Sequence, residues 1–177
     1  MADVDPRHGP NRSGSCFAIH KTILSQARAT GFVCGDAIEF TDFDTFFTIE
    51  GEIGCLGEIV ISVSKILEVV SISEDNQRLV QTSSYSYNVL IRGGHNIFRY
   101  DNNHPESPHP GHHTIHHKHE FDWQTGDEFN CSPRCIGHDW PHLGEVIAEA
   151  SDWYYANRSL LKNPNRCAED LQSDVTR

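Results

Sequence analysis

The central part of the chain alternates apolar and polar residues in the way that is typical of β-strands. Ile61 and Val63 alternate with Ser62 and Ser64, which is the two-residue period of a strand with one buried face. Similar runs rich in Phe, Thr, Val, Ile and Tyr precede and follow it, separated by SEDNQ and by a Gly-Gly pair. Short polar or glycine-rich links join consecutive antiparallel strands. The pattern therefore predicts an antiparallel β-meander of about four to six strands.

Two other segments have helical periodicity. Apolar residues at helical spacing in residues 17–28 predict a short helix before the strands. From Leu143 to Leu161 the apolar residues follow an i, i+3, i+4, i+7 pattern. Pro141 suits the start of this helix, and Asn163-Pro164-Asn165 would stop it. The predicted fold class is therefore α+β, a β-meander with a C-terminal amphipathic helix packed on one face.

The length and composition predict a single domain between two tails. A chain of 177 residues fits one domain, and 37% apolar residues are enough to form a core. Residues 1–15 are polar and rich in Pro, Gly and Asp, which predicts a disordered N-terminal tail. Residues 16–161 are predicted to form the domain, and residues 162–177 a flexible C-terminal tail.

The net charge limits the classes of partner. The formal charge is −11 at pH 7 and the pI is about 5.4. This acidity argues against a protein held on nucleic acid by its overall charge, because phosphate contacts need a basic surface. No apolar run approaches the roughly 18 residues of a transmembrane helix, so no membrane partner is expected. The N-terminus lacks the apolar region of a signal peptide, and the expected location is therefore the cytoplasm.

The cysteines raise the question of metal binding. Cysteines of a cytoplasmic protein are more often free thiols or metal ligands than disulfides, and this is the prediction for all six. Cys131, Cys135, His138 and His142 have the residue types and close spacing of zinc ligands. However, most zinc sites have a longer stretch between the Cys pair and the His pair, and two prolines restrict the backbone here. Free thiols in a surface loop are the favoured interpretation, and zinc is the alternative.

The densest group of chemically active residues is the histidine-rich segment 99–120, RYDNNHPESPHPGHHTIHHKHE. Its prolines and glycine exclude a helix across the middle, so the segment is predicted to be a loop between two extended ends. On an extended chain His117 and His119 point to one face, while His116 and Lys118 point to the other. By the same alternation Arg99 and Asp101 are expected on one face of the preceding strand.

Three interpretations of this segment stay open. In the first, histidines act as general acid and base, while Arg99 and Lys118 stabilise a phosphate-like transition state. In the second, imidazoles bind a metal ion and Asp101 or Glu120 supplies a carboxylate. In the third, the segment is only a solvated polar loop. The loop interpretation is favoured for His104, His109 and His112. The functional interpretation is favoured for Arg99, Asp101, His116, His117 and His119.

The two ends of the segment also resemble a known family. FRYDN, followed after the loop by HHKHEF, is similar to the signature of the TumE-type toxins of prokaryotic toxin–antitoxin pairs. The similarity extends more weakly over residues 40–157. The resemblance implies a toxin whose partner is a helix-turn-helix antitoxin. The matching signature residues are Arg99, Tyr100, Asp101, Asn102, His116, His117, Lys118 and His119.

The leading hypothesis is a cytoplasmic toxin that acts on RNA through His/Arg acid–base chemistry, with no cofactor expected. His117 and His119 would exchange the protons. Arg99 and Lys118 would hold the phosphate, and Asp101 would orient an imidazole.

The remaining signature residues complete the predicted site. His116 is assigned to the catalytic set, and Tyr100 and Asn102 are assigned to binding. Whether the protein is an enzyme stays open; if it is one, a ribonuclease-like hydrolase or phosphotransferase is expected. The alternative function is a non-catalytic domain that binds zinc or a partner through its histidine-rich loop.

Overall fold

The computed structural model describes residues 9–102, 116–137 and 140–171. This part contains two α-helices, α1 (Ser13–Ala29) and α2 (Leu143–Asn157), and a 3₁₀ turn at Arg158–Leu160 follows α2. It also contains nine β-strands: β1 (Asn11–Arg12), β2 (Val33–Asp36), β3 (Glu39–Asp42), β4 (Phe46–Cys55), β5 (Ile59–Ile72), β6 (Arg78–Ile91), β7 (Asn96–Asp101), β8 (His117–Glu120) and β9 (Arg134–Cys135).

The strands form one antiparallel sheet. From β4 to β9 they follow one another across the sheet in chain order, which confirms the predicted meander. β2 and β3 both pair with β4, and β1 pairs with β6. The described part has nine strands rather than about four to six, because β1, β2, β3 and β9 have only two to four residues. Alternation cannot be recognised over so short a stretch.

The two faces of the sheet differ in chemistry. One row of paired residues, Ile53, Ile61, Val89 and Phe98, is buried in the core. The next row lies on the opposite face, because successive side chains of a strand alternate. This second row is polar and consists of Glu52, Ser62, Asn88, Arg99 and His119. The sheet therefore has one apolar face and one polar face.

Both helices belong to the core on the apolar face. α1 confirms the helix predicted for residues 17–28 and is longer at both ends. The buried residues of α2 are Leu143, Val146, Ile147, Ala150 and Tyr154, which match the predicted apolar positions. At its start the His142 ring accepts a hydrogen bond from the Gly144 N–H, and the Glu145 carboxylate accepts one from the His142 N–H. This reciprocal cap fixes where α2 begins.

The predicted limits of both tails are wrong for the described residues. Residues 11–12 pair with β6 and α1 begins at Ser13, so the predicted tail 1–15 is structured at its end. In the predicted tail 162–177, the Pro164 carbonyl accepts a hydrogen bond from Tyr154 and Ala168 is buried. These contacts depend on distant parts of the chain and leave no local signal in composition. Residues 1–8 and 172–177 lie outside the described residues.

The prediction that the cysteines are free thiols or metal ligands rather than disulfides is wrong for Cys34 and Cys167, which form a disulfide with a Cα–Cα distance of 6.0 Å. The two residues are 133 positions apart, and a bridge between Leu56 and Cys167 brings the second one to the sheet. The other four cysteines all lie in the described ranges and are not in a disulfide there: Cys16, Cys55, Cys131 and Cys135. In the described ranges no helix is long and apolar enough to span a membrane.

Candidate active site

The two ends of the histidine-rich segment become neighbouring strands. β7 and β8 pair antiparallel, with Arg99 opposite His119, Asp101 opposite His117 and Tyr100 opposite Lys118. Paired residues share a face of the sheet. Arg99, Asp101, His117 and His119 are therefore brought together on the polar face, as the alternation of the two ends predicts. Tyr100 and Lys118 lie on the apolar face.

Hydrogen bonds connect four side chains on the polar face. Arg99 Nε donates to Asp101 Oδ2 at 2.6 Å, and Arg99 Nη2 lies 3.2 Å from His119 Nε2. His119 Nδ1 lies 2.7 Å from Glu128 Oε1. Asp101 Oδ2 lies 3.6 Å from His119 Nε2. Both nitrogens of the His119 ring thus have a defined neighbour.

These neighbours determine the tautomer of a neutral His119. The Arg99 guanidinium is always protonated and can only donate, so His119 Nε2 must accept. The proton of the neutral ring is then on Nδ1, which donates to the Glu128 carboxylate. The ring consequently presents an unprotonated Nε2 beside a fixed cation. A nitrogen in this state can act as a general base.

Glu128 is a member of the site that the sequence analysis missed. It lies in the loop between β8 and β9, where a bridge between Phe121 and Glu128 folds the chain back. Ser132 Oγ donates to the Glu128 carboxylate at 2.6 Å. Burial would raise the pKa of Glu128, but the hydrogen bonds from Ser132 and His119 and the nearby charges of His119 and Arg99 outweigh it and lower the pKa. The residue is therefore held as a carboxylate.

His117 occupies the other position of β8 on this face. It pairs with Asp101 on one side and with Cys135 of β9 on the other, and its side chain is fully buried. Because a strand rises about 3.3 Å per residue, His117 and His119 are about 7 Å apart along β8. The two imidazoles predicted to exchange protons lie on one face, and His119 is the one linked to Arg99 and Glu128.

Lys118 is not brought together with Arg99. Its Nζ lies 2.9 Å from Glu120 Oε1 and 2.7 Å from Glu149 Oε1, and it is buried over the rings of Phe98 and Tyr100. The Tyr100 hydroxyl donates to Glu149 at 2.8 Å. Burial and the bond to Glu149 raise the pKa of Tyr100, so it stays a neutral donor. This cluster ties β8 to α2.

His116 and Asn102 also have partners away from Arg99. The His116 ring stacks on Trp140 with a centroid distance of 5.0 Å, and its Nδ1 lies 3.2 Å from the Tyr85 hydroxyl. The Asn102 side chain accepts from the Tyr85 N–H and donates to the Ser83 carbonyl. Asn102 thereby fastens the end of β7 to β6.

The predicted zinc ligands are only partly within the described residues. Cys131 and Cys135 are exposed and are not in a disulfide within the described residues, and the His142 ring caps α2. His138 lies outside the described residues, as do the loop histidines His104, His109 and His112. In the ranges that the structure covers, no group of three or more His, Cys, Asp or Glu residues could hold a metal ion.

Comparison with known families identifies the chain. A family model described as toxin TumE matches residues 35–152, two thirds of the chain. The chain belongs to the TumE toxin family. The TumE match includes β7, β8, Glu128 and the first part of α2, and it confirms the family that the sequence predicts. TumE membership makes the protein a toxin of a toxin–antitoxin system and suggests a cognate antitoxin as partner. No curated protein and no solved structure matches the chain.

Proposed function

We propose that this TumE-family toxin cleaves RNA by acid–base chemistry centred on His119 and Arg99. One observation carries the proposal: His119 Nε2 lies 3.2 Å from the permanently charged Arg99 guanidinium on the polar face of the sheet. Cleavage of RNA without a metal ion needs a base for the 2′-hydroxyl and positive charge for the phosphate. His119 and Arg99 supply these two functions side by side.

Arg99 binds the phosphate first. Its side chain is 36% exposed, whereas that of His119 is 11% exposed, so the substrate meets the guanidinium before the imidazole. When Arg99 Nη2 turns toward a phosphate oxygen, it releases His119 Nε2. Arg99 Nε remains bonded to the buried Asp101, which keeps the guanidinium in place. Asp101 therefore positions Arg99, and its carboxylate also lies 3.6 Å from the His119 imidazole.

His119 then accepts the proton. Nε2 takes the proton of the 2′-hydroxyl, the 2′-oxygen attacks phosphorus, and the bond to the 5′-oxygen breaks, which leaves a 2′,3′-cyclic phosphate. The leaving 5′-oxygen takes up a proton from water, because the His117 side chain is fully buried. The Glu128 carboxylate stabilises the imidazolium through Nδ1. A positioned base of this kind contributes typically about 10²- to 10⁴-fold to the rate.

The acidic net charge of −11 predicts how such an enzyme binds RNA. One guanidinium cannot hold a long polyanion against that charge, so binding is local and weak. A single phosphate contact predicts that log K falls with log salt with a slope of about −0.7 for a single strand.

The test uses purified protein and a 5′-labelled single-stranded RNA in the presence of EDTA. The wild type is compared with His119→Ala, and His95→Ala serves as the matched control because His95 is exposed in the β6–β7 turn. We expect fragments ending in 2′,3′-cyclic phosphate from the wild type and the control, and at least about a hundredfold slower cleavage by His119→Ala. Intact RNA with the wild type would refute the proposal. Cleavage by His119→Ala at the wild-type rate would show that His119 is not the general base.

A further inference from the structure

The polar face of the sheet continues beyond Arg99 across three more strands. One polar row runs from His119 through Arg99 of β7, Asn88 of β6 and Ser62 of β5 to Glu52 of β4. The adjacent row consists of His117, Asp101, Ser86, Ser64 and Glu50, so it has an anion where the first row has Arg99. We call the middle residues of both rows, Ser62, Ser64, Ser86 and Asn88, the serine shelf.

The serine shelf forms a small depression. Its four side chains, together with Gly51 and Glu52, line a cavity of about 100 Å³. Pockets for whole small molecules usually measure about 300–1,000 Å³. The depression is therefore too small to enclose a free ligand of that kind. It suits one unit of a polymer that lies across the sheet and enters the depression with only part of its surface.

The distances relate the shelf to the proposed site. Neighbouring strands are about 4.8 Å apart, so Asn88 lies about 5 Å and Ser62 about 10 Å from Arg99 across the sheet. The shelf is thus the next polar surface that a molecule bound at Arg99 would reach along this row.

The charge changes from positive to negative along the row that runs from Arg99 across the serine shelf to Glu52. Arg99 is the cation at one end, the shelf itself is neutral, and Glu50 and Glu52 form an acidic end. Arg92 neutralises Glu52 at 2.7 Å, whereas Glu50 receives only a 3.3 Å hydrogen bond from Ser64. A phosphate is attracted to the first end and repelled from the last. The neutral middle accepts an uncharged polar group.

The shelf has hydrogen-bonding groups that are not used up by the fold. Asn88 Nδ2 donates to Asn96, but Asn88 Oδ1 is buried and accepts no hydrogen bond from any residue that the structure describes. An unsatisfied buried acceptor costs free energy that a ligand donor would offset. The serine hydroxyls can both donate and accept.

We propose that the serine shelf binds the nucleoside part, the base with its ribose, of the nucleotide whose phosphate lies at Arg99. The ligand class is a nucleoside monophosphate unit within RNA. Recognition is by hydrogen bonds to Asn88 and the serines, and the acidic end prevents a further phosphate from occupying the shelf. This inference rests on the proposed action on RNA and adds to it the place where one nucleoside is held.

The experiment measures binding of the four nucleoside 3′-monophosphates, each separately, and of inorganic phosphate to the purified full chain by titration calorimetry. Ser62→Leu fills the depression, and Ser71→Leu is the matched control at an exposed position at the other end of β5. We expect at least one nucleotide to bind about tenfold more tightly than phosphate, the gain from one or two net hydrogen bonds. Ser62→Leu should lose this gain and keep phosphate binding, and Ser71→Leu should resemble the wild type.

Two results would overturn the proposal. One is that no nucleotide binds more tightly than inorganic phosphate. The other is that Ser62→Leu, with an unchanged melting temperature, keeps the preference. If Ser62→Leu does not fold, Asn88→Ala takes its place and should reduce the nucleotide preference several-fold. Cleavage of RNA by the wild type is measured in the same preparation. If RNA is cleaved but the serine shelf gives no nucleotide preference, the proposal for the shelf is wrong and the proposed function is not affected.

Discussion

The two faces of the β7–β8 pair carry the same kinds of residue for different purposes. On the polar face, Arg99 and His119 contact each other, and Glu128 is drawn in from a loop. On the apolar face, Lys118 and Tyr100 are both bonded to Glu149 of α2. Both cations are paired with carboxylates, but Arg99 is partly exposed and can also bind a ligand, whereas Lys118 is buried between two carboxylates. Adjacent residues of one motif therefore have different roles: those on the polar face form the candidate site, and those on the apolar face attach the strands to α2.

The largest effect is expected for Arg99→Ala, which removes the cation of the polar face. RNA cleavage should fall by about 10²- to 10³-fold, the usual effect of losing one charge-stabilising donor. Arg99→Lys keeps the charge, and its cleavage rate should lie between those of the wild type and Arg99→Ala. Initial cleavage rates at saturating RNA give the comparison. Wild-type rates in folded Arg99→Ala would contradict the role given to this face.

Lys118→Met should change stability instead of activity. The substitution keeps an aliphatic side chain over Phe98 and Tyr100 but leaves the carboxylates of Glu120 and Glu149 without their cation. Breaking a fully buried pair costs about 3–5 kcal/mol. Both carboxylates are about one-third exposed, so we expect the free energy of unfolding, measured by urea denaturation, to fall by about 2 kcal/mol. Lys162→Met, at an exposed site, is the control and should change little.

Tyr100→Phe tests the same cluster with a smaller change. It removes only the hydroxyl that donates to Glu149. We expect a loss of about 1.5 kcal/mol in the free energy of unfolding, as for a hydrogen bond to a charged group. The control is Tyr155→Phe, because the Tyr155 side chain is exposed. An equal loss in both variants would argue against a specific bond to Glu149.

The smallest effect is the pH dependence caused by Glu128. Its pKa is lowered in the folded state from the ordinary value of 4.5, so its contribution to stability is present above that pH and is lost as the pH falls through the folded-state pKa. Glu128→Gln cannot titrate. The melting temperature of the wild type should therefore fall more steeply below about pH 4.5 than that of the variant. If the melting temperatures of the wild type and the variant fall in parallel as the pH is lowered, Glu128 has no lowered pKa in the folded state.

Alternation along the chain predicts which site residues share a face, because it depends only on the geometry of a strand. It places Arg99 with Asp101 and His117 with His119, and the structure confirms both pairs. The partners from other elements were not predictable in this way. Glu128 reaches His119 through the fold of a loop, and Glu149 reaches Lys118 through the packing of α2.

The same limit explains the errors in the sequence analysis. Lys118 was grouped with Arg99 by charge, although it points to the opposite face of the sheet from Arg99. The disulfide between Cys34 and Cys167 depends on a contact over 133 residues. Periodicity and composition describe neighbours along the chain, whereas these features depend on tertiary packing.

The most direct test of the account compares His119→Ala with Lys118→Met during tightly induced expression in a bacterial host that the wild type arrests. Growth is followed at equal amounts of folded, soluble protein, checked by thermal unfolding of the purified variants. The account predicts that His119→Ala melts like the wild type but permits growth, whereas Lys118→Met melts earlier and still arrests growth. Growth arrest by His119→Ala as strong as that of the wild type would contradict the assignment of toxicity to the polar face.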